Sequence, residues 1–427
     1  MESINCSGLA ANLSLSWSEA CVLAGAFPGE SRTVKVSAIR WLASSLYDLS
    51  GSEVKLPGAP VALYFGDVAG LIECGVAFVG WQALMVACGL LGYSVKRSSR
   101  LPRAAKAAVF GAVGLAMPLL PLALLAALGP PRTALTRFNL GMFPCIGLFR
   151  WLELALGTGP RGLGRTARGC MLYLGVPAEV LFGDDGRALA AADGRWRQEL
   201  LSLLGHVAPL LLVLAVGGLS QFTPFLGSGA DLLALPAAAL PRALPAVWLQ
   251  AALVYLLMTT VLLAASLACA LLGVETHAFM RQPLLLSTSV RDFWSRRWNL
   301  LVHRLMHRGF FKPLAVRAGP RVGAGAAFLA SAIFHEYGWA LLNWETQGYR
   351  GGKVGAFFFM QFVLVTAEAA LKRTRLSGSV SGLPAPVQTF LTTLVILPFG
   401  PLFLADLQRG GLIAGVLRLY PHLRLVV

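Results

Sequence analysis

"VGAGAAFLASAIFHEYGWALLNW", residues 322–344, is a 23-residue apolar run interrupted by one adjacent titratable pair, His335 and Glu336. At 1.5 Å per residue such a run makes about 34 Å of helix, enough to cross the hydrocarbon core of a bilayer. His335 then lies near mid-depth. An ionisable side chain there is costly and reads first as functional. The competing reading is a histidine that only hydrogen-bonds a neighbouring helix. Burial disfavours the imidazolium, so the ring is expected to be neutral and able to accept a proton. Glu336 is rotated by about 100° from His335 and points away from it. A structural role follows for Glu336, protonated or paired with a buried cation such as Arg150.

The rest of the chain fits that reading. Of 427 residues, 56% are hydrophobic and 13% charged, against roughly 25% charged in soluble domains. Several other stretches reach the roughly 20 apolar residues of a span. The segment 59–95 reads as one span, about 75–95, or as two short ones. Further spans are expected near 107–129, 138–156, 200–219, 247–273, 353–371 and 387–407, with an interfacial helix at 410–427. The fold expected is therefore all-α, a polytopic transmembrane bundle of about eight or nine spans.

The loops orient this bundle. Residues 96–106, "KRSSRLPRAAK", hold five cations and no acid, which makes them cytosolic. Every second loop after them (157–199, 274–321 and 371–378) is again basic, and the alternate loops are poorer in Lys and Arg. The division expected is a weakly patterned region 1–58, N-terminal spans over 59–273, and a functional region 274–427 with its cytosolic loop 274–321. Two glycosylation sequons, at Asn5 and Asn12, matter only if this end is luminal. Residues 1–20 show no clean secretory signal. Seven scattered cysteines have no metal or redox spacing and read as small apolar residues. Net charge is +16. Basic residues confined to short loops exclude nucleic acid as a partner and point to membrane lipid or a phosphate-bearing cosubstrate.

Loop 274–321 concentrates that charge. From Arg281 to Arg321 it holds nine Lys and Arg against one acid, Asp292, among Phe293, Trp294, Trp298, Phe310 and Phe311. Ser287, Thr288 or Ser289 can cap a helix starting near Val290. On it Asp292, Arg296 and Asn299 would share one face, and Trp294 and Trp298 another. This predicts an amphipathic cytosolic helix; a plain lipid-binding interface helix is the alternative. His303 and His307 have an i, i+4 zinc spacing, but no third ligand is evident, so no metal is expected.

"RDFWSRRWN" (291–299), followed after 35 intervening residues by the histidine of "SAIFH" (331–335), resembles the membrane-bound O-acyltransferase family. The likeness is greatest to its plant wax-synthase-like branch and covers roughly 275–345. It implies a catalytic His335 with Asn299 as its partner. It also implies acyl-CoA as cosubstrate, no other cofactor, and an endoplasmic reticulum membrane. The acceptor implied is a long-chain alcohol, with sterol or diacylglycerol as alternatives. The donor's phosphates would then meet Arg291, Arg296 and Arg297, with Trp294 and Trp298 lining its channel. A proton-coupled transporter using His335 and Glu336 is the rival from another class. It should show inverted repeats and broken helices, and neither is visible. A lipid-binding scaffold leaves His335 unexplained. Nothing in the sequence reports oligomeric state.

Overall fold

In the computed structural model the described residues are 52–55, 61–217, 240–374, 382–420 and 422–425. They begin with strands β1 (Glu53–Lys55) and β2 (Val61–Tyr64). The long helices α1 (Val68–Arg97), α2 (Arg103–Leu128) and α3 (Ala134–Leu156), the short α4 (Ala167–Gly175), and α5 (Arg195–Gly217) and α6 (Leu240–Leu271) follow. Next come the short α7 (Pro283–Leu286), α8 (Val290–Asp292), α9 (Leu300–Met306) and α10 (Lys312–Ala318). Long helices α11 (Pro320–Leu342) and α12 (Lys353–Leu371), then α13 (Ala385–Ile396), α14 (Gly400–Arg409), α15 (Leu412–Leu419) and β3 (His422–Leu425), complete the chain.

Among the described residues, six helical stretches are long and apolar enough to cross a membrane: Val68–Arg97, Arg103–Leu128, Arg195–Leu214, Pro245–Leu271, Lys353–Leu371 and Ala385–Arg409. The protein is thus a helical integral membrane protein. Large apolar side chains point outward along these helices, among them Val76, Leu115, Leu204, Leu212, Phe359 and Phe390. In water that surface would be untenable; in lipid it costs nothing. The ambiguous segment 59–95 resolves into one helix, α1, whose N-terminus is capped by Asp67. Helices α3 and α11 have a span's length, 23 residues each, but fall outside the group of six. They lie centrally and cross where Gly141 faces Gly338: a Cβ on Gly141 would come within 2.6 Å of the Gly338 Cα. Only such small residues let two backbones approach so closely.

One expectation is refined and one corrected here. The fold is mostly helical, as expected, and adds one small element: β1, β2 and β3 form a three-stranded antiparallel sheet joining the two ends of the described chain. Correspondingly, 410–427 is not one interfacial helix. Helix α15 ends at Leu419, Pro421 lacks the N–H that a continuing helix needs, and β3 pairs with β2. Most of region 1–58, including Asn5 and Asn12, lies outside the described residues.

Candidate active site

The segment before α11 is not the single amphipathic helix expected. Ser289 does cap it, accepting from the Asp292 N–H. After one turn, however, the chain widens into a π-helical turn over Phe293–Arg297. The wider register pairs residues five apart. Trp298 N–H donates to the Phe293 carbonyl (2.9 Å), the Phe293 and Trp298 rings stack at 5.3 Å, and Arg297 Nε donates to Asp292 Oδ2 (2.6 Å). The helix then stops. Asn299 therefore does not share a helix face with Asp292 and Arg296. It adopts a left-handed conformation, φ 38°, and caps α9 by accepting the Val302 N–H on its side-chain oxygen (3.3 Å). Asparagine tolerates that backbone region better than other side chains do.

His335 sits on α11. Its Nδ1 lies 2.7 Å from the Ser331 carbonyl. A carbonyl only accepts, so Nδ1 carries the proton, and in the neutral ring Nε2 keeps its lone pair. Four aromatic rings crowd the imidazole: Phe334 at 4.5 Å, Phe358 at 4.7 Å, Trp339 at 5.4 Å and Phe403 at 5.5 Å.

His335 and Asn299 line one and the same cavity, of about 990 Å³. Its wall on α11 is the stripe Arg321, Ala324, Phe328, Ser331 and His335, at helical spacing. Arg321 precedes His335 by 14 residues of unbroken helix, so the two Cα atoms lie about 21 Å apart along the helix axis. Arg373, just beyond the C-terminus of the antiparallel α12, and Arg291 border that same cavity. Trp294 and Trp298 line it too. Trp294 is fixed by its indole N–H, which donates to Gln361 (3.1 Å).

The three arginines singled out from the sequence separate. Arg291 borders the cavity. Arg296 borders a smaller polar pocket with Arg291, Ser289, Ser295 and Lys372. Arg297 borders neither and is tied to Asp292. Arg373 was missed, and its only sequence signal was its place in a basic loop. Arg304 and Arg308 are also not free cations. Arg304 pairs with Glu179, and Arg308 bridges Glu153 (2.9 Å) and Glu179 (2.9 Å). Tyr173 adds a hydrogen bond to Glu153. Burial raises the Glu179 carboxyl's pKa, but Arg304 and Arg308 more than offset this and hold it below the usual range. His303, which lines the cavity, is pushed down to about 4 by burial, with His307 and Arg304 adding to the effect.

Glu336 does not meet Arg150. It accepts the backbone N–H groups of Gly352 (2.9 Å) and Gly355 (2.7 Å), at the start of α12. A carboxylate there satisfies orphan donors and complements the helix dipole. Arg150 is instead spent on backbone carbonyls, among them Tyr173 (2.8 Å) and Ala178 (3.2 Å).

Residues 278–360 match the membrane bound O-acyl transferase family, which bears out the resemblance drawn from 291–299 and His335. The long-chain-alcohol O-fatty-acyltransferase of Simmondsia chinensis is 34% identical over 175 residues, 38% of this chain and 48% of that protein. The Arabidopsis thaliana protein named "Probable long-chain-alcohol O-fatty-acyltransferase 7" is 31% identical over 169 residues, 37% of this chain and 48% of its own. Acyl-CoA--sterol O-acyltransferase 1 of the same plant is 28% identical over 169 residues, 38% of this chain and 48% of its own. The chain spans about half the length of these relatives.

Proposed function

We propose that this protein transfers a fatty acyl group from acyl-CoA to the hydroxyl of a long-chain alcohol, forming a wax ester within the membrane. The observation that carries this reading is the common cavity of His335 and Asn299, whose lining is largely apolar and includes Arg291, Arg321 and Arg373. The alkyl parts of both substrates suit the apolar interior, while the phosphates of CoA suit Arg291, Arg321 and Arg373, with Arg296 close by. Arg297 belongs to the scaffold of the turn.

The chemistry follows from the two polar groups. His335 Nε2 takes the proton of the alcohol as its oxygen attacks the thioester carbon. General base catalysis of this kind is worth about 10²–10⁴-fold. The amide of Asn299 donates to the carbonyl oxygen as it gains charge, worth about 10²–10³-fold. The carbon–sulfur bond then breaks, and the imidazolium returns its proton to the departing CoA thiolate. The aromatic rings around His335 keep out water, which would otherwise hydrolyse the thioester. We count α3 and α11 as spans beside the six, which makes eight, and infer an endoplasmic reticulum membrane.

The test is ester formation by purified protein, or by membranes from cells lacking other ester-forming enzymes. Labelled acyl-CoA is offered with fatty alcohols, sterols and diacylglycerols in parallel. Wax ester as the main product is expected. Steryl ester alone would favour the acceptor suggested by the sterol O-acyltransferase similarity. No ester from any acceptor would overturn the reading.

A further inference from the structure

The smaller pocket beside α8 has a volume of about 270 Å³. Its lining is polar throughout: hydroxyl residues, Asp292, and the cations Arg291, Arg296 and Lys372. Sites that enclose a whole drug-sized ligand run from about 300 to 1,000 Å³, so this one suits a small head group rather than a nucleotide. Its charge is unbalanced. Asp292 is neutralised by Arg297 (2.6 Å), and Lys372 pairs with Glu368. The guanidinium groups of Arg291 and Arg296 have no ion pair or hydrogen bond among the described residues. Two positive charges thus border the pocket uncompensated. A phosphomonoester carries about two negative charges at neutral pH. Guanidinium is its natural partner, because the planar fork meets two phosphate oxygens at once.

The level of the pocket in the membrane indicates the source of such a phosphate. Lys372 follows directly on α12, whose residues Lys353–Leu371 are long and apolar enough to span. It therefore sits at head-group level, on the side that the basic loop 371–378 marks as cytosolic. Exposed apolar side chains flank the pocket. Leu371 adjoins Lys372, and Leu285 and Leu286 of α7 shortly precede Thr288. A phospholipid with its phosphate in the pocket covers such leucines with its acyl chains; a soluble phosphate leaves them bare. Basic pockets beside spans on the cytosolic side attract anionic lipid for this reason. We propose that the pocket binds an anionic phospholipid of the cytosolic leaflet, its phosphate held by Arg291, Arg296 and Lys372. The site is separate from the chemistry at His335, since Arg296 and Lys372 border this pocket and not the larger cavity.

Purified full-length protein in detergent is titrated with phosphatidic acid and with phosphatidylcholine of the same acyl chains, and bound lipid is counted by native mass spectrometry. Each cation near a membrane surface is worth about fivefold in affinity for anionic lipid. With two uncompensated charges, phosphatidic acid should bind about twenty-five-fold tighter than phosphatidylcholine. Arg296→Ala should weaken phosphatidic acid binding about fivefold. Lys372→Ala should weaken it at least as much, because it also leaves Glu368 unpaired, and Lys372→Arg should restore it. Melting midpoints without added lipid report folding; Arg296→Ala, which breaks no ion pair, is the reading if Lys372→Ala does not fold. Equal affinity for the two lipids, or a preference that neither alanine variant moves, would overturn the proposal. Inorganic phosphate should not displace the lipid; displacement would make this a site for free phosphate and overturn the lipid assignment. Displacement by CoA would overturn it too, by giving the pocket to the acyl donor. Binding is read without turnover, so inactivity toward every acceptor would overturn the acyltransfer reading and leave this site standing.

Discussion

Asn299 is proposed to do two jobs with one side chain: Oδ1 caps α9, and the amide N–H donates to the reacting carbonyl. The two are separable. Asn299→Asp keeps a capping oxygen and a residue tolerant of the left-handed region but removes the donor. Ester formation should fall about 10²–10³-fold, with a melting midpoint close to wild type in detergent. Wild-type turnover in that variant would remove the amide from the chemistry. The sequence pointed to this residue through the family resemblance. Its backbone conformation was not legible, because the π-helical turn before it depends on distant partners. Trp294 holds to Gln361, 67 positions away, and nothing in "RDFWSRRWN" announces that contact. That His335 marks the cavity was more readable, since a lone imidazole in an apolar run stands out whatever surrounds it.

At the scale of elements, α9 and the turn after it are anchored by charge. Arg304 and Arg308 fix them to Glu153 on α3 and to Glu179 in the loop before α5. Reading along the chain counted these arginines among the nine cations of the loop; their acids lie 125 to 155 positions away and are individually unremarkable. The clamp has a pH signature. The folded-state pKa of Glu179 is held below its ordinary value by Arg304 and Arg308, despite burial. Its stabilisation is thus complete above the unfolded carboxyl's value, about 4.3, and is lost as pH falls below that through the folded value. The thermal midpoint of detergent-solubilised protein should drop over that range. Glu179→Gln should lower the midpoint at neutral pH, since breaking one side of a buried pair costs about 3–5 kcal/mol. The same substitution should also flatten the acid limb. An acid limb unaltered by the substitution would show that the loss originates elsewhere.

For the whole molecule, the main features followed from apolar run length and loop charge. Each helix in the group of six overlaps a span read from the sequence, and the resolution of 59–95 into α1 needed only the Asp67 cap. The pairing of β2 with β3 was not legible, because these two strands are four residues each and lie more than 350 positions apart. Orientation remains a prediction of the basic loops. A cysteine in place of Arg100, which lies exposed between α1 and α2, should react with an impermeant reagent added from the cytosol. Labelling from the lumen alone would invert the bundle and put Arg291, Arg321 and Arg373 on the wrong side for acyl-CoA. Everything converges on whether Nε2 of His335 accepts the proton of an alcohol in that cavity. The direct measurement is ester formation from labelled acyl-CoA and a fatty alcohol by His335→Ala, at matched expression and melting midpoint. The account predicts a loss of at least about 10²-fold; ester synthesis at the wild-type rate would contradict it.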